Sequence, residues 1–196
     1  MKSILMSIKP KYVAKILNKE KTIEVRKRFS QEYRGWVYIY CTKDKMNKLC
    51  YVNYEPYGNK GYLTTKLDCE NEEINGKVVA RFYCDNVEEI SYNYRSDFTS
   101  VYTDTLDTED LEKQAFLTRF EFAEYLQGNY GYAIHISQLE IFDKPKELSD
   151  FFKLGVDKWY HEHAGTDMPY LEFWNTFDDF RITKAPQSWQ FIEVVE

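Results

Sequence analysis

The chain is short of the residues that announce a cofactor, a metal or a membrane. Its four cysteines, Cys41, Cys50, Cys69 and Cys84, include no C-x-x-C pair, and no signal peptide precedes them. Free, mostly buried thiols in a reducing cytoplasm are therefore expected. Histidine is scarce. His161 and His163 flank Glu162, but no cysteine or facing carboxylate motif accompanies them, so neither a metal nor a cofactor is expected. No apolar run approaches the roughly 18 residues that cross a bilayer, and the one from Met1 to Ile8 is cut short by Lys9 and Pro10. No internal repeat or low-complexity tract is visible. An overall excess of positive charge is missing too: the net charge is −6. A protein that coats nucleic acid without selectivity is usually basic, so that class is disfavoured.

What charge there is lies unevenly. Residues 1–36 hold ten Lys/Arg against Glu20, Glu24 and Glu32, a local +7 that leaves −13 on the remainder. A basic lobe on an acidic chain points to local attraction of an anion. At 196 residues the chain suits one domain, 1–196, with insertions at about 91–127 and 153–183. Aromatic residues reach 17%, chiefly Tyr and Phe, which serve cores, interfaces and base-stacking surfaces alike.

Ile4 to Ile8 reads as a strand stopped by Pro10, which suits the first turn of a helix with Tyr12, Val13, Ile16 and Leu17 as its apolar stripe. Lys11, Lys15 and Lys19 recur on the other side as a solvated face. Lys19 to Arg28 is extended, and Trp36 to Thr42 is a buried strand. Residues 43–75 read as a loop or short hairpin, Val78 to Cys84 as a strand, and 91–108 as a long loop. A helix follows from Thr108 through Leu111, Ala115, Phe116 and Phe122 to Leu126. Strands are expected at Tyr132–Ile136 and Leu139–Phe142, a short helix at Lys146–Phe152, a helix near 169–177 and a last strand at Phe191–Val195. This pattern is α+β with a mixed or closed sheet.

The stretch Lys21-Thr22-Ile23-Glu24-Val25-Arg26-Lys27-Arg28 carries the chemistry. In an extended chain Ile23 and Val25 point to one face, while Thr22, Glu24, Arg26 and Arg28 share the other. A lone acid among guanidinium groups suits a phosphate-bearing ligand held against a polar group of fixed orientation. The competing reading is a half-buried strand whose solvated side happens to be basic.

Five blocks in fixed order extend this stretch: Ser7 to Val13 with Lys21 to Arg28, Val37 to Lys43, Gly76 to Phe82, Gly131 to Ile136 running to Pro145, and Ala185 to Trp189. Together they resemble the ASCH (activating signal cointegrator homology) domain family, in the version common in phages, prophages and bacteria. The resemblance implies a PUA-like fold, a small β-barrel of five to six strands with a helix over one opening and helical insertions. It also implies that the motif G-x-K-x-x-E-x-R lines a cleft for RNA or a nucleotide. Lys21, Glu24 and Arg26 match that motif, whereas Lys19 stands where the family carries Gly, a position where Gly would permit positive φ.

The expected nucleic-acid-binding residues are Lys9, Lys21, Glu24, Arg26, Arg28, Tyr40, Lys43, Ser188 and Trp189, with Tyr40 and Trp189 offered as stacking surfaces. For Trp189 the alternative is packing of the last strand, and His135 reads as structural. Small ASCH relatives deacylate N4-acetylcytidine with a Lys, a Thr nucleophile and a distant Glu. Lys21 matches their Lys, but Glu24 stands in the place of Thr, so this turnover is not expected. A Lys21–Glu24 pair remains as the candidate for acid–base cleavage of RNA. A reader of modified bases is a further alternative, as is a protein partner on the aromatic 153–183 segment.

Overall fold

A computed structural model describes residues 2–54, 59–65, 74–94, 99–163 and 178–194. In chain order its elements are β1 (Lys2–Ile8), α1 (Pro10–Leu17), β2 (Ile23–Arg26), β3 (Gly35–Cys41), β4 (Lys48–Tyr54), β5 (Asn59–Thr65) and β6 (Val78–Cys84). There follow β7 (Val87–Tyr94), β8 (Thr99–Tyr102), α2 (Thr108–Ala115), α3 (Arg119–Leu126), β9 (Gly131–His135), β10 (Ser137–Lys146), β11 (Phe152–Lys153), α4 (Val156–His163) and β12 (Trp189–Glu193). Among the described residues no helix is long and apolar enough to cross a membrane.

Six strands make one mixed sheet in the order β10-β6-β3-β1-β12-β11, four make a second in the order β2-β9-β7-β8, and β4 pairs with β5. β1 and β3 run parallel, Ile4 facing Val37 and Ile8 facing Cys41. A parallel pair needs a crossover, and α1 with β2 supplies it. Because β1 is covered on both faces, its residues from Ser3 to Ile8 are all buried. Ile4, Met6 and Ile8 meet Val13, Ile16 and Leu17 of α1 on one side. Leu5 packs with Tyr38, Phe151 and Ile192 on the other. A separate core lies under the second sheet, where Ile23, Val25, Ile90 and Val101 meet Leu111, Phe122 and Leu126 of α2 and α3.

The α+β class is as expected from the sequence, but the small barrel of five or six strands is not what forms. Among the described residues twelve strands fall in three sheets, and no ladder closes them into a barrel. β2 is only four residues long and pairs with β9 alone. It meets β1 of the first sheet through a side chain, the Arg26 guanidinium donating from Nη2 to the Ser7 carbonyl at 2.7 Å.

Other elements depart from expectation for local reasons. The 91–108 segment contains the β7–β8 hairpin, with Ser91 facing Tyr102, so it is no long loop. Two buried anchors, Ile90 and Val101, hold it to the core, which is too few to show as alternation. The helix expected from Thr108 to Leu126 is two helices. α2 starts from Asp107, whose side chain accepts the Asp110 N–H, and stops at Phe116 in the left-handed region. α3 restarts from Thr118, which forms a reciprocal capping box with Glu121. The helix expected at Lys146–Phe152 is the end of β10, a 3-10 turn at Leu148–Asp150 and β11. β10 is an edge strand, so Pro145 interrupts no ladder on its open side. The helix expected near 169–177 lies outside the described residues, as do residues 164–177 of the aromatic segment. Cys41 and Cys84 are free and buried, but Cys50, on the outlying hairpin, is in a disulfide.

α1 ends in a Schellman turn: the Glu20 N–H reaches the Lys15 carbonyl at 2.8 Å and the Lys19 N–H the Ile16 carbonyl at 2.9 Å. Asn18 then grips β5, its amide donating to the Tyr62 carbonyl at 2.7 Å and accepting the Tyr62 N–H at 2.8 Å. Lys19 takes the left-handed position with φ of 62°. The family's glycine is therefore replaced without loss of the turn, at the cost of a β-carbon in a crowded conformation. Lys19→Gly should raise the unfolding free energy by about 1 kcal/mol, read from urea denaturation. A neutral or negative change would mean that Lys19 is held by contacts the backbone does not reveal.

On β7, Glu88 takes His135 Nε2 at 2.6 Å and the Thr105 hydroxyl at 2.7 Å. Burial opposes its ionisation, yet hydrogen bonds from Thr105, Thr103 and His135 outweigh that and hold the carboxyl below its ordinary value. A depressed carboxylate contributes stability above its unfolded value and loses it as pH falls through the folded one. In Thr105→Val the melting temperature should lie below wild type near neutrality, and the gap should shrink between about pH 6 and pH 3. A gap that stays constant across that window would remove Glu88 from the acid response.

Candidate nucleotide-binding cleft

β2 sends Ile23 and Val25 into the second core, as its alternation requires. Its other face is not a solvated basic surface. Glu24 is 6% exposed and Lys21, just before the strand, 2%. Glu24 Oε1 forms an ion pair with Arg26 Nη2 at 3.1 Å, and Glu24 Oε2 lies 3.5 Å from Lys21 Nζ. Lys21 Nζ also donates to the Ala115 carbonyl at 2.5 Å, at the C-terminal end of α2 where the helix presents its negative pole. Burial drives the Lys21 ammonium below its ordinary pKa, and the Glu24 carboxylate opposes the fall. Arg26 Nε is buried with no hydrogen-bond partner among the described residues.

These three side chains line a cavity of about 670 Å³. Around them stand Ser7, Ile8 and Lys9 from the end of β1 and its turn, Lys11 and Tyr12 from α1, and Thr42 after β3. Glu121, Glu124 and Tyr125 of α3 form the opposite wall, with Leu117, Gln127, Lys27 and Gln187 completing it. Five cations and three carboxylates thus share one recess. Lys11 Nζ lies 4.4 Å from the Tyr12 ring centre and Lys27 Nζ 5.3 Å from that of Tyr125.

Of the residues expected from the sequence, the structure brings Lys9, Lys21, Glu24 and Arg26 together here. Arg28 is exposed outside the cavity, and its carbonyl receives the Trp189 indole N–H at 2.7 Å. The Trp189 ring meets Phe29 and Phe191 edge-on, at 5.1 and 5.5 Å. Tyr40 is buried beneath the first sheet, and that burial raises its hydroxyl pKa. Lys43 lies over Gly76, whose missing Cβ leaves it room. The Ser188 carbonyl accepts the Ser7 N–H at 2.9 Å, while its neighbour Gln187 faces the cavity. Thr22 is exposed, its N–H bonded to the Gln114 carbonyl at 2.9 Å.

The sequence reading missed Tyr12, Tyr125, Glu121 and Glu124. Tyr12 was spent on the apolar stripe of α1, and the α3 residues were placed in an insertion. The signal that locates α3 is the Thr118-x-x-Glu121 capping box, which fixes where the helix starts and hence which face it turns.

No protein-family model matches the chain, and no curated protein matches it. Among solved structures, the crystal structure of ASCH from Zymomonas mobilis is similar, with a TM-score of 0.50 at 13% identity, covering 97% of this chain and 87% of that one. Two point variants of the same protein give TM-scores of 0.48 and 0.47 at 14% identity, covering 97% of this chain and 90% and 88% of theirs. At such identity the likeness is one of architecture: the chain has the fold of an ASCH domain.

The Lys21–Glu24–Arg26 cluster makes a stability prediction. Removing Glu24 leaves two buried cations without their shared partner. Glu24→Ala should cost about 3–5 kcal/mol in chemical denaturation. The double change Lys21→Met with Glu24→Leu should cost clearly less, since it removes charge from both sides. Equal losses in the two proteins would show that the charges themselves are not what must be matched.

Proposed function

We propose that the cleft binds RNA or a nucleotide, without chemistry of its own. The observation that carries this reading is the gathering of Lys9, Lys11, Lys21, Arg26 and Lys27 around one cavity on a chain whose net charge is −6. These cations come from one stretch, residues 9–27, folded around a single cavity, and on an otherwise acidic protein they suit a ligand with few phosphates. The motif resemblance turns the reading toward RNA and toward the phage- and bacterial-type ASCH proteins; the ASCH fold is compatible with both. Lys9, Lys11 and Lys27 are exposed and act as point charges for phosphate. The half-buried Arg26 and the buried Glu24 present fixed polar atoms to what the phosphate is attached to.

Catalysis is the lesser reading. Thr22, the one hydroxyl beside Lys21 in sequence, faces solvent against α2. Glu24 is committed to Arg26 and Lys21, which leaves it poorly placed to take a proton from water.

The measurement is fluorescence anisotropy of a short labelled oligoribonucleotide over a series of salt concentrations. With two or three phosphates neutralised, the log–log slope should be about −1.5 to −2 for a single strand. Lys11→Ala should make the slope shallower by about 0.7, one contact's worth. Failure of the folded protein to bind any oligonucleotide or nucleotide at low salt would end the proposal.

A further inference from the structure

The floor of the cleft is a row of three groups, Lys21, Glu24 and Arg26, in van der Waals or hydrogen-bonding range of one another. An ammonium and a guanidinium only donate hydrogen bonds, and an ionised carboxylate only accepts them. The row therefore reads donor, acceptor, donor. Its capacity is not exhausted by the fold. Lys21 Nζ has three protons, of which Ala115 takes one and Glu24 attracts another. Arg26 donates from Nη2 to Ser7 and pairs by charge with Glu24, and its buried Nε has no partner among the described residues. Each carboxylate oxygen of Glu24 accepts more than one bond.

The walls carry a second observation. Tyr12 of α1 and Tyr125 of α3 both line the cavity. Lys21 Nζ lies 5.4 Å from the Tyr12 ring centre, which sets that ring beside the floor. A flat ring entering such a recess meets aromatic surface at its sides and the polar row at its edge. A cavity of about 670 Å³ has room for a nucleoside.

We infer that the cleft takes a base with an imide edge, uracil, between Tyr12 and Tyr125, with that edge on Lys21, Glu24 and Arg26. The inference rests on the nucleotide-binding reading above and narrows it. Uracil presents carbonyl, N–H and carbonyl in sequence, the complement of donor, acceptor, donor. Cytosine sets an amino group where a cation stands, and guanine does so at one end of its edge. Adenine offers an amino group and a ring nitrogen, which reverses part of the order. Each mismatch sets donor against donor in a site largely closed to water, where an unpaired charged group is penalised heavily.

The test is isothermal titration of the wild-type protein with UMP, CMP, AMP, GMP, N3-methyl-UMP and ribose 5-phosphate, together with uridine and cytidine pentanucleotides. UMP should bind at least about tenfold tighter than CMP, AMP or GMP, as expected where a site built for one hydrogen-bonding edge meets another. N3-methylation, which removes the central donor, should reduce UMP to the level of ribose 5-phosphate. A uridine pentanucleotide tighter than UMP assigns the base to a strand, and an equal or weaker one assigns it to a free nucleotide. Tyr125→Ala, at an exposed position that the fold tolerates, should weaken UMP by about tenfold while the order of the bases is kept. CMP binding as well as UMP, or indifference to N3-methylation, overturns the inference and leaves nucleotide binding standing. Silence with every nucleotide and oligonucleotide overturns both.

Discussion

A single line of polar contacts ties the β2 edge of the second sheet to β1 of the first and to α2: Ser7 carbonyl, Arg26, Glu24, Lys21, Ala115 carbonyl. Its first member is on β1, in the six-stranded sheet, and its middle is on β2, in the four-stranded one. Its last member closes α2. At the far end the backbone joins the sheets, β6 running into β7 and β9 into β10 with the His135 N–H on the Asn86 carbonyl at 3.0 Å, while the β2 end is tied to β1 by side chains. Buried ion pairs seldom add net stability over an apolar replacement, because desolvation offsets the attraction. What such a line supplies is direction. An apolar contact tolerates sliding, whereas Lys21, reaching one helix carbonyl and one carboxylate, joins the Thr22 N–H on the Gln114 carbonyl in setting β2 against α2.

Much of the scaffold was legible. The strands at Ile4–Ile8, Trp36–Thr42 and Val78–Cys84 declared themselves by composition, and α1 by Pro10 and its apolar stripe. Local signals suffice where one segment decides its own state. The outward face of β2 is different. Its alternation was read correctly, but the pattern left open whether Glu24 and Arg26 face a ligand or solvent. Whether a charge is buried depends on partners that lie elsewhere: Ser7 is 19 residues from Arg26, and Ala115 is 94 from Lys21. No window along the chain contains that information. The motif resemblance picked out the same residues, without saying that they are nearly closed to water.

The aromatic assignments failed for a related reason. Tyr40 and Trp189 are near the motif in the fold, and their ring faces are taken up by neighbours in the sheet. Tyr12 and Tyr125 reach the cavity from α1 and from α3, and α3 is a helix of its own because of the break at Phe116. Read as one continuous helix, residues 108–126 cannot turn back to form a wall. The left-handed residue there does what Lys19 does after α1: it ends a helix abruptly, without glycine. In both cases the carbonyls freed at the helix end are used, by the Schellman bonds in one and by Lys21 in the other.

The distribution of charge bears on what the cleft admits. Its lysines face Glu121 and Glu124 across the recess, and the chain beyond residue 36 carries −13. At physiological salt, fields die away over about 8 Å, so the lysines attract at the mouth of the cleft and the acidic body repels around it. A duplex or a long strand lying across the surface would gain a few contacts and meet many carboxylates. A short extended segment that puts one nucleotide into the recess gains the same contacts and meets few. Under the nucleotide reading, then, the acidic body is part of the recognition. It leaves the basic cluster strong enough to hold a phosphate or two and too weak to bind polyanions without the base, so selectivity passes to the buried row of Lys21, Glu24 and Arg26.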